Sequence, residues 1–254
     1  MKGYNMEKGL VSIVIATYNS ARTLQTALAS VANQTYANIE LVVVDGGSTD
    51  GTLEMIETYA FKRKTYISEK DKGIFDALNK GVKMSSGEWI FVLGSDDELL
   101  PDGIDTLIQH SDGFDVVYGN TINRFDDGSL TLFKAKDYHC LNHIICCCHQ
   151  GLIMKKDCIL RENGFNLNYP LRADFDLIQR CYLKEYRFRQ VDASIAYYYV
   201  GGASGQANLS SDIERYHILK NNHSTKFPFL VFLYYFMKKL VRLYIYDPKK
   251  NIKA

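Results

Sequence analysis

Residues 39–51 read IELVVVDGGSTDG. A short apolar run rich in β-branched residues and bounded by turn formers is a buried strand. It stops on Asp45, and residues 46–51 then supply glycines, hydroxyls and a second acid where the chain turns into a helix. Working outward, residues 11–16 (VSIVIA) form a second such run. Thr17, Tyr18, Asn19 and Ser20 follow, and then Leu24, Ala27, Leu28 and Val31 at helical spacing. Downstream, residues 65–68 read as a short strand, Ile74, Leu78 and Val82 mark a third helix, and residues 88–93 (EWIFVL) form a fourth strand. This alternation calls for an α/β fold with a Rossmann-like, mostly parallel central sheet flanked by helices on both faces.

Beyond Pro101 the pattern mixes. Residues 102–110 read as helix, 114–118 as strand, 125–130 as a hairpin turn, and mixed elements continue to Tyr199. Residues 201–205 (GGASG) read as a flexible loop and 211–221 as a helix. Residues 229–237 are nine apolar residues in a row, after which Lys238, Lys239 and Arg242 intervene. That stretch is too short and too charged to span a bilayer, and it fits an amphipathic helix lying in the interface or one packed on the domain. The expected partition is one α/β domain over residues 1–225 and a basic helical appendage over 226–254.

The 254 residues carry 30 Lys+Arg against 29 Asp+Glu, so no net charge drives the chain toward nucleic acid, and none is expected as a partner. The balance is uneven along the chain. Residues 226–254 hold seven Lys/Arg and one Asp, a charge of +6, whereas residues 1–225 hold 23 against 28, a charge of −5. A polar N-terminus without a signal-peptide pattern leads to an expected cytoplasmic location, at the inner face of the membrane if the basic tail binds lipid. Cys146, Cys147 and Cys148 lack the spacing of a zinc site, so reduced thiols are expected.

In open α/β sheets ligands bind beyond the carboxyl ends of the strands. The four expected strands end at Thr17-Tyr18-Asn19, at Asp45, at Glu69 and Asp71, and at Ser95-Asp96-Asp97. Carboxylates gathered on one edge repel unless a cation neutralises them, and hard oxygen donors favour Mg²⁺ or Mn²⁺ beside a phosphate-bearing ligand. The dinucleotide fingerprint G-x-G-x-x-G and the phosphate-binding G-x-x-x-x-G-K-[ST] are both absent, which excludes a glycine cradle.

The segments VSIVIATYN, VVVDGGSTDGT, SEKDKGIFDALNKG and LGSDD, in this order, resemble the family 2 glycosyltransferases of the GT-A fold, and in particular bacterial enzymes that build cell-surface polysaccharides. The resemblance runs from Val11 to about Gly205 and implies a set of roles. Thr17 and Tyr18, with Asn19 beside them, would line a uridine pocket, Asp45 would bond the uracil or ribose, and Asp71 would contact the nucleoside. Glu69 is either a further contact on that side or a solvated loop charge. Asp97 would ligate the metal and Asp96 would touch the ribose or donor sugar. Asp174 would be the general base, although Ala173 stands where the family has Glu. His149 and Gln150 match an acceptor-side element, His149 being equally readable as a core histidine. Gly201, Gly202 and Ser204 resemble a loop that covers the donor. Asp176 reads as a brace for Arg180 four residues on. The implied activity is inverting, metal-dependent transfer from a nucleotide sugar, taken as UDP-linked, to a hydroxyl of a glycan or lipid-linked glycan. The alternative is a non-catalytic sugar-nucleotide scaffold or sensor on the same fold.

Overall fold

The computed structural model describes residues 6–201 and 209–245. Its centre is a nine-stranded sheet. Strands β1 (Glu7–Thr17), β2 (Ile39–Asp45), β3 (Lys64–Ser68) and β4 (Gly87–Gly94) are parallel in the order β3-β2-β1-β4. Next come β8 (Leu152–Lys155), antiparallel to β4, and β6 (Val116–Arg124), antiparallel to β8 and therefore parallel to the first four. Strand β9 (Phe188–Tyr199) runs parallel to β6, and the two-residue β5 (Glu98–Leu99) closes the far edge. The expected hairpin at residues 125–130 is present, with β7 (Leu130–Phe133) pairing back on β6.

Alternation along β1 divides the core. Val11, Ile13 and Ile15 face α1 (Leu24–Ala32), α2 (Thr52–Thr58) and α4 (Gly103–Gln109), while Val14 and Ala16 face α3 (Ile74–Met84), α5 (Lys156–Arg161) and α6 (Ala173–Leu183). The sheet is buried on both faces, which is why its central strands read as unbroken apolar runs. In α3 the buried face is Phe75, Leu78 and Val82, and Ile74 is exposed, one position off the expected stripe. Gly81 brings α3 against the sheet: a Cβ there would collide with Val14 Cγ1 and lie 3.3 Å from Val44 Cγ2. Helices α7 (Leu209–Asn221) and α8 (Pro228–Ile245) form an antiparallel pair beside α6.

The strand ends are laced together. Thr17 pairs with Asp45, Asp45 with Ser68, and Ala16 with Gly94, so these ends stand at one level. Asp45 is fully buried and accepts from Gly47 N (3.1 Å), Ser48 N (3.0 Å), Ser68 Oγ (2.6 Å) and the Ser48 hydroxyl. Burial alone would raise its pKa, but these donors outweigh that and hold the carboxyl below its ordinary value. Ser48 Oγ also accepts from Asn19 N at 2.8 Å, and Asn19 Oδ1 accepts from Thr49 N at 3.0 Å. Asn19 stands at φ +49°, a left-handed conformation that asparagine tolerates better than most residues. Ser20 N donates to Thr52 Oγ1 at 2.8 Å, and the Ser20 and Ser95 hydroxyls bond at 2.9 Å.

Two outcomes follow. Gly81→Ala is expected to destabilise by about 1–3 kcal/mol through overpacking, with Val14→Ala in the double variant costing less than the sum of the singles in urea unfolding. Asp45→Ala is expected to cost about 1–3 kcal/mol at pH 7. Because the native pKa of Asp45 lies below that of the unfolded chain, its stabilisation is complete above about pH 4 and fades as pH falls through the native value. The acid limb of a stability–pH curve should therefore be shallower in the variant.

Candidate active site

Beyond the laced strand ends lie two groups of side chains. In the first, Gly46 forms a floor. A Cβ there would lie 2.7 Å from Asp71 Oδ2 and 3.3 Å from Tyr18 Cδ2, so glycine is what lets Asp71 and the exposed Tyr18 flank one opening. Asp71 Oδ1 accepts from Gly73 N at 2.8 Å, which begins α3. Thr17 is buried at the strand end beside this group, and its hydroxyl has no hydrogen-bond partner among the described residues. A buried unsatisfied hydroxyl costs about 1–3 kcal/mol. Glu69 is held to the side by Lys80 at 2.7 Å, and Lys80 also reaches Asp76 at 3.5 Å. The hydrogen bond that Lys80 donates to Glu69 outweighs desolvation and holds the lysine above its ordinary pKa.

Asp45 sits beneath the first group. Its carboxylate faces its own loop and β3, where its donors occupy it, and the groups that face outward beside it are Tyr18 and Asp71. Its hydrogen bonds shape the floor on which they stand.

The second group is built on β4. A Cβ on Gly94 would collide with Asp97 Oδ2 and lie 3.0 Å from Asp96 Oδ1, so the two carboxylates converge above a residue that has no side chain to block them. Asp97 is 2% exposed and is drawn in by Tyr199 N, which donates to Oδ1 at 2.8 Å. Burial pushes its carboxyl up to about 7, and the Asp96 charge adds to this against the Tyr199 and Gln150 hydrogen bonds. Asp96 is raised as well, chiefly by burial. Neither acid forms an ion pair among the described residues.

The 3-10 turn His149–Gly151 carries this group toward α6. Cys148 Sγ donates to Gln150 Oε1 at 2.9 Å. Burial pushes that thiol up to about 12, and the carboxylates of both Asp97 and Asp174 add to the effect, so Cys148 lies within the field of both acids. His149 packs on Phe165 at 5.5 Å, and burial holds it below its ordinary pKa despite the opposing charge of Asp174. It is thus a packed imidazole within the field of the same acid. Asp174 is half-buried in the first turn of α6 and accepts from Phe175 N at 2.8 Å. Asp176 pairs with Arg180 at 2.9 Å, as the spacing predicts.

The structure therefore brings Asp96, Asp97, Gln150, His149 and Asp174 together, and Thr17, Tyr18 and Asp71 together, on one edge. Gly201 lies two residues beyond the end of β9, against the Tyr199 ring, whereas Gly202 and Ser204 lie outside the described residues. Two participants were not legible in the sequence. Tyr199 acts through a backbone amide, which no residue letter announces. Cys148 was hidden in a run of three cysteines whose other members, Cys146 and Cys147, are core.

The donor set at Asp96 and Asp97 suits a hard divalent cation: two convergent carboxylates, one of them buried without a counter-charge among the described residues. Among the described residues no cluster of three or more His, Cys, Asp or Glu is placed to hold a metal, so phosphate and water oxygens would have to complete the shell.

Residues 12–154 match the family model described as Glycosyl transferase family 2. Over 195 residues the chain is 35% identical to a PGL/p-HBAD biosynthesis glycosyltransferase of Mycobacterium bovis, covering 70% of this chain and 71% of that protein. The fold is similar to S. aureus TarS 1–349 in complex with UDP-GlcNAc, with a TM-score of 0.67 and 19% identity over 84% of this chain and 65% of that one. It is also similar to the mannosyltransferase PcManGT from Pyrobaculum calidifontis in complex with GDP-Man and Mn²⁺, with a TM-score of 0.62 and 20% identity over 87% and 66%. A match over more than half of the chain, a relative of this identity and a common GT-A architecture make the chain a member of glycosyl transferase family 2, and a glycosyltransferase.

Proposed function

We propose that the protein transfers a sugar, with inversion, from a UDP-linked donor to a hydroxyl of a glycan or lipid-linked glycan in surface polysaccharide assembly. The observation that carries this reading is the pairing of two unlike acids across the Cys148–Gln150 turn. Asp97 is buried beside Asp96 with no counter-charge, and Asp174 stands half-buried at the start of α6.

Asp97 and Asp96 would hold Mg²⁺ or Mn²⁺. When bound, the ion supplies Lewis-acid charge against the diphosphate as it leaves. The chain's own groups do the rest. Tyr18 offers an exposed ring to a base, the unpartnered Thr17 hydroxyl offers a hydrogen bond, and Asp71 faces the same opening. The acceptor oxygen attacks the anomeric carbon, the bond from that carbon to the diphosphate oxygen breaks with its electron pair on the nucleotide, and Asp174 takes the acceptor's proton. One base and no enzyme nucleophile give a single displacement and hence inversion. The His149 ring and Gln150 border the acceptor side. The relative from Mycobacterium bovis named for PGL/p-HBAD biosynthesis and the neighbour holding UDP-GlcNAc support the substrate class.

Asp174→Asn keeps the oxygen that accepts from Phe175 N, so the fold should persist while transfer falls about 10²–10⁴-fold in a product assay. Asp97→Asn keeps the acceptor for Tyr199 N and removes the charge, and transfer should fall by about 10²-fold or more. The native pKa of Asp97 lies above the unfolded value, so its ionisation costs stability increasingly from about pH 4 up to about 7. Asp97→Asn should therefore melt higher than the parent at pH 8 without metal. Near-native transfer in either variant would overturn the assignment. Calorimetry showing tight UDP-sugar binding, with no transfer to any hydroxyl acceptor and no hydrolysis, would favour the scaffold reading.

A further inference from the structure

Helix α8 presents the wrong face to water for an ordinary surface helix. Phe229, Leu230, Leu233, Tyr234, Met237 and Val241 are all exposed, Leu230 at 58% and Tyr234 at 60%. At 100° per residue they fall on one arc of the helix, with Lys238 at its margin. The opposite arc is already taken. Tyr216 meets Phe232 at 6.0 Å, Arg215 lies over the Tyr235 ring at 4.4 Å, and Lys239 pairs with Asp212 at 3.1 Å, while Val231 packs on the core. The inward face thus carries the polar contacts and the outward face the apolar side chains. An exposed apolar stripe of this extent marks an interaction surface.

Its charge setting selects the occupant. Residues 226–254 carry +6, against −5 for the rest of the chain. No helix among the described residues is long and apolar enough to cross a membrane. An amphipathic helix with outward Phe, Leu, Tyr and Met and flanking lysines binds in the plane of an anionic lipid interface.

The placement of α8 relative to the site adds a consequence. Helices α7 and α8 are antiparallel, so Lys239 meets Asp212 near the start of α7. That start is strapped to the segment before α6: Arg172 Nε donates to Ser211 O at 2.7 Å and Leu171 N to Glu214 Oε2 at 3.0 Å. Asp174 lies two residues beyond Arg172 and adds its field to Glu214. The exposed Leu171, Leu209 and Ile213 lie along the same strap.

We infer that α8 is an interfacial anchor whose outward stripe inserts into an anionic phospholipid surface and sets the Asp174 side of the site against that surface. The inference rests on the glycosyltransferase reading only for its consequence, an acceptor whose hydroxyl is presented from a lipid. The binding surface itself stands on α8.

The test uses the full chain and vesicles of phosphatidylcholine with or without about 30% phosphatidylglycerol. The expected result is co-sedimentation with the anionic vesicles, weakened by raising salt and lowered at least tenfold in Leu230→Glu/Met237→Glu. Melting temperature and calorimetric UDP binding should be unchanged in that variant. Failure to bind anionic vesicles, or equal binding by parent and variant, overturns the anchor. So does a parent that is dimeric by light scattering and becomes monomeric in the variant while ignoring vesicles, since the stripe then pairs two copies. Loss of UDP binding in the parent would instead count against the glycosyltransferase reading, leaving the vesicle result to stand by itself.

Discussion

Burying a carboxylate away from water costs several kcal/mol unless hydrogen-bond donors meet its charge. Asp45 is met by two backbone amides and the hydroxyls of Ser48 and Ser68. Those donors come from both sides of its own strand end, so the charge can be satisfied only when β2 and β3 are in register and the loop after β2 is folded. The requirement spreads, because Ser48 also accepts from Asn19 beyond β1, and Ser20 there touches Ser95 beyond β4. One buried anion therefore fixes the heights at which the first four strands stop. Gly46 and Gly94, the two places where other acids approach the backbone, inherit their positions from it.

Asp97 is treated in the opposite way on the same edge. It accepts from the Tyr199 amide and the Gln150 side chain, and among the described residues it has a neighbouring carboxylate in place of a counter-charge. The two aspartates consequently shift in opposite directions, Asp45 below and Asp97 above the ordinary carboxylate range. A satisfied acid stabilises the fold. One buried beside a like charge carries a cost that a cation would relieve, and perturbation of this kind by burial and like charge is typical of groups that act on a ligand. Acid count along the edge therefore says less about function than the donors each acid already has.

How much was legible in the sequence follows from the same distinction. Strands β1, β2 and β4 were legible because both of their faces are buried and the apolar run is continuous. The insertion of β8 between β4 and β6 was not, since four residues carry little periodicity and their partners lie about thirty to sixty positions away. In the site, acids were legible as residue types at strand ends. Their states were not, because those depend on partners such as Ser68 and the Tyr199 amide, which arrive from other strands. The apolar and basic character of the C-terminal segment was plain in composition. Which face of α8 would be left outward depended on Asp212 and Arg215, which claim Lys239 and Tyr235 for the inner face.

The division of charge gives those facts a common direction. A body of −5 is repelled by an anionic surface, whereas a segment of +6 is attracted, so the chain near such a surface experiences a torque as well as a pull. A torque matters for chemistry only if the attracted segment is rigidly tied to the site. Here it is tied by short links: Lys239 to Asp212 on α7, and Ser211 and Glu214 on α7 to the backbone and side chain just ahead of Asp174. Arg215, buried between the two helices, adds a further link, pairing with Asp212 at 3.0 Å and lying over the Tyr235 ring at 4.4 Å. Orientation imposed on α8 is in this way passed to the helix that carries the acid assigned to the acceptor.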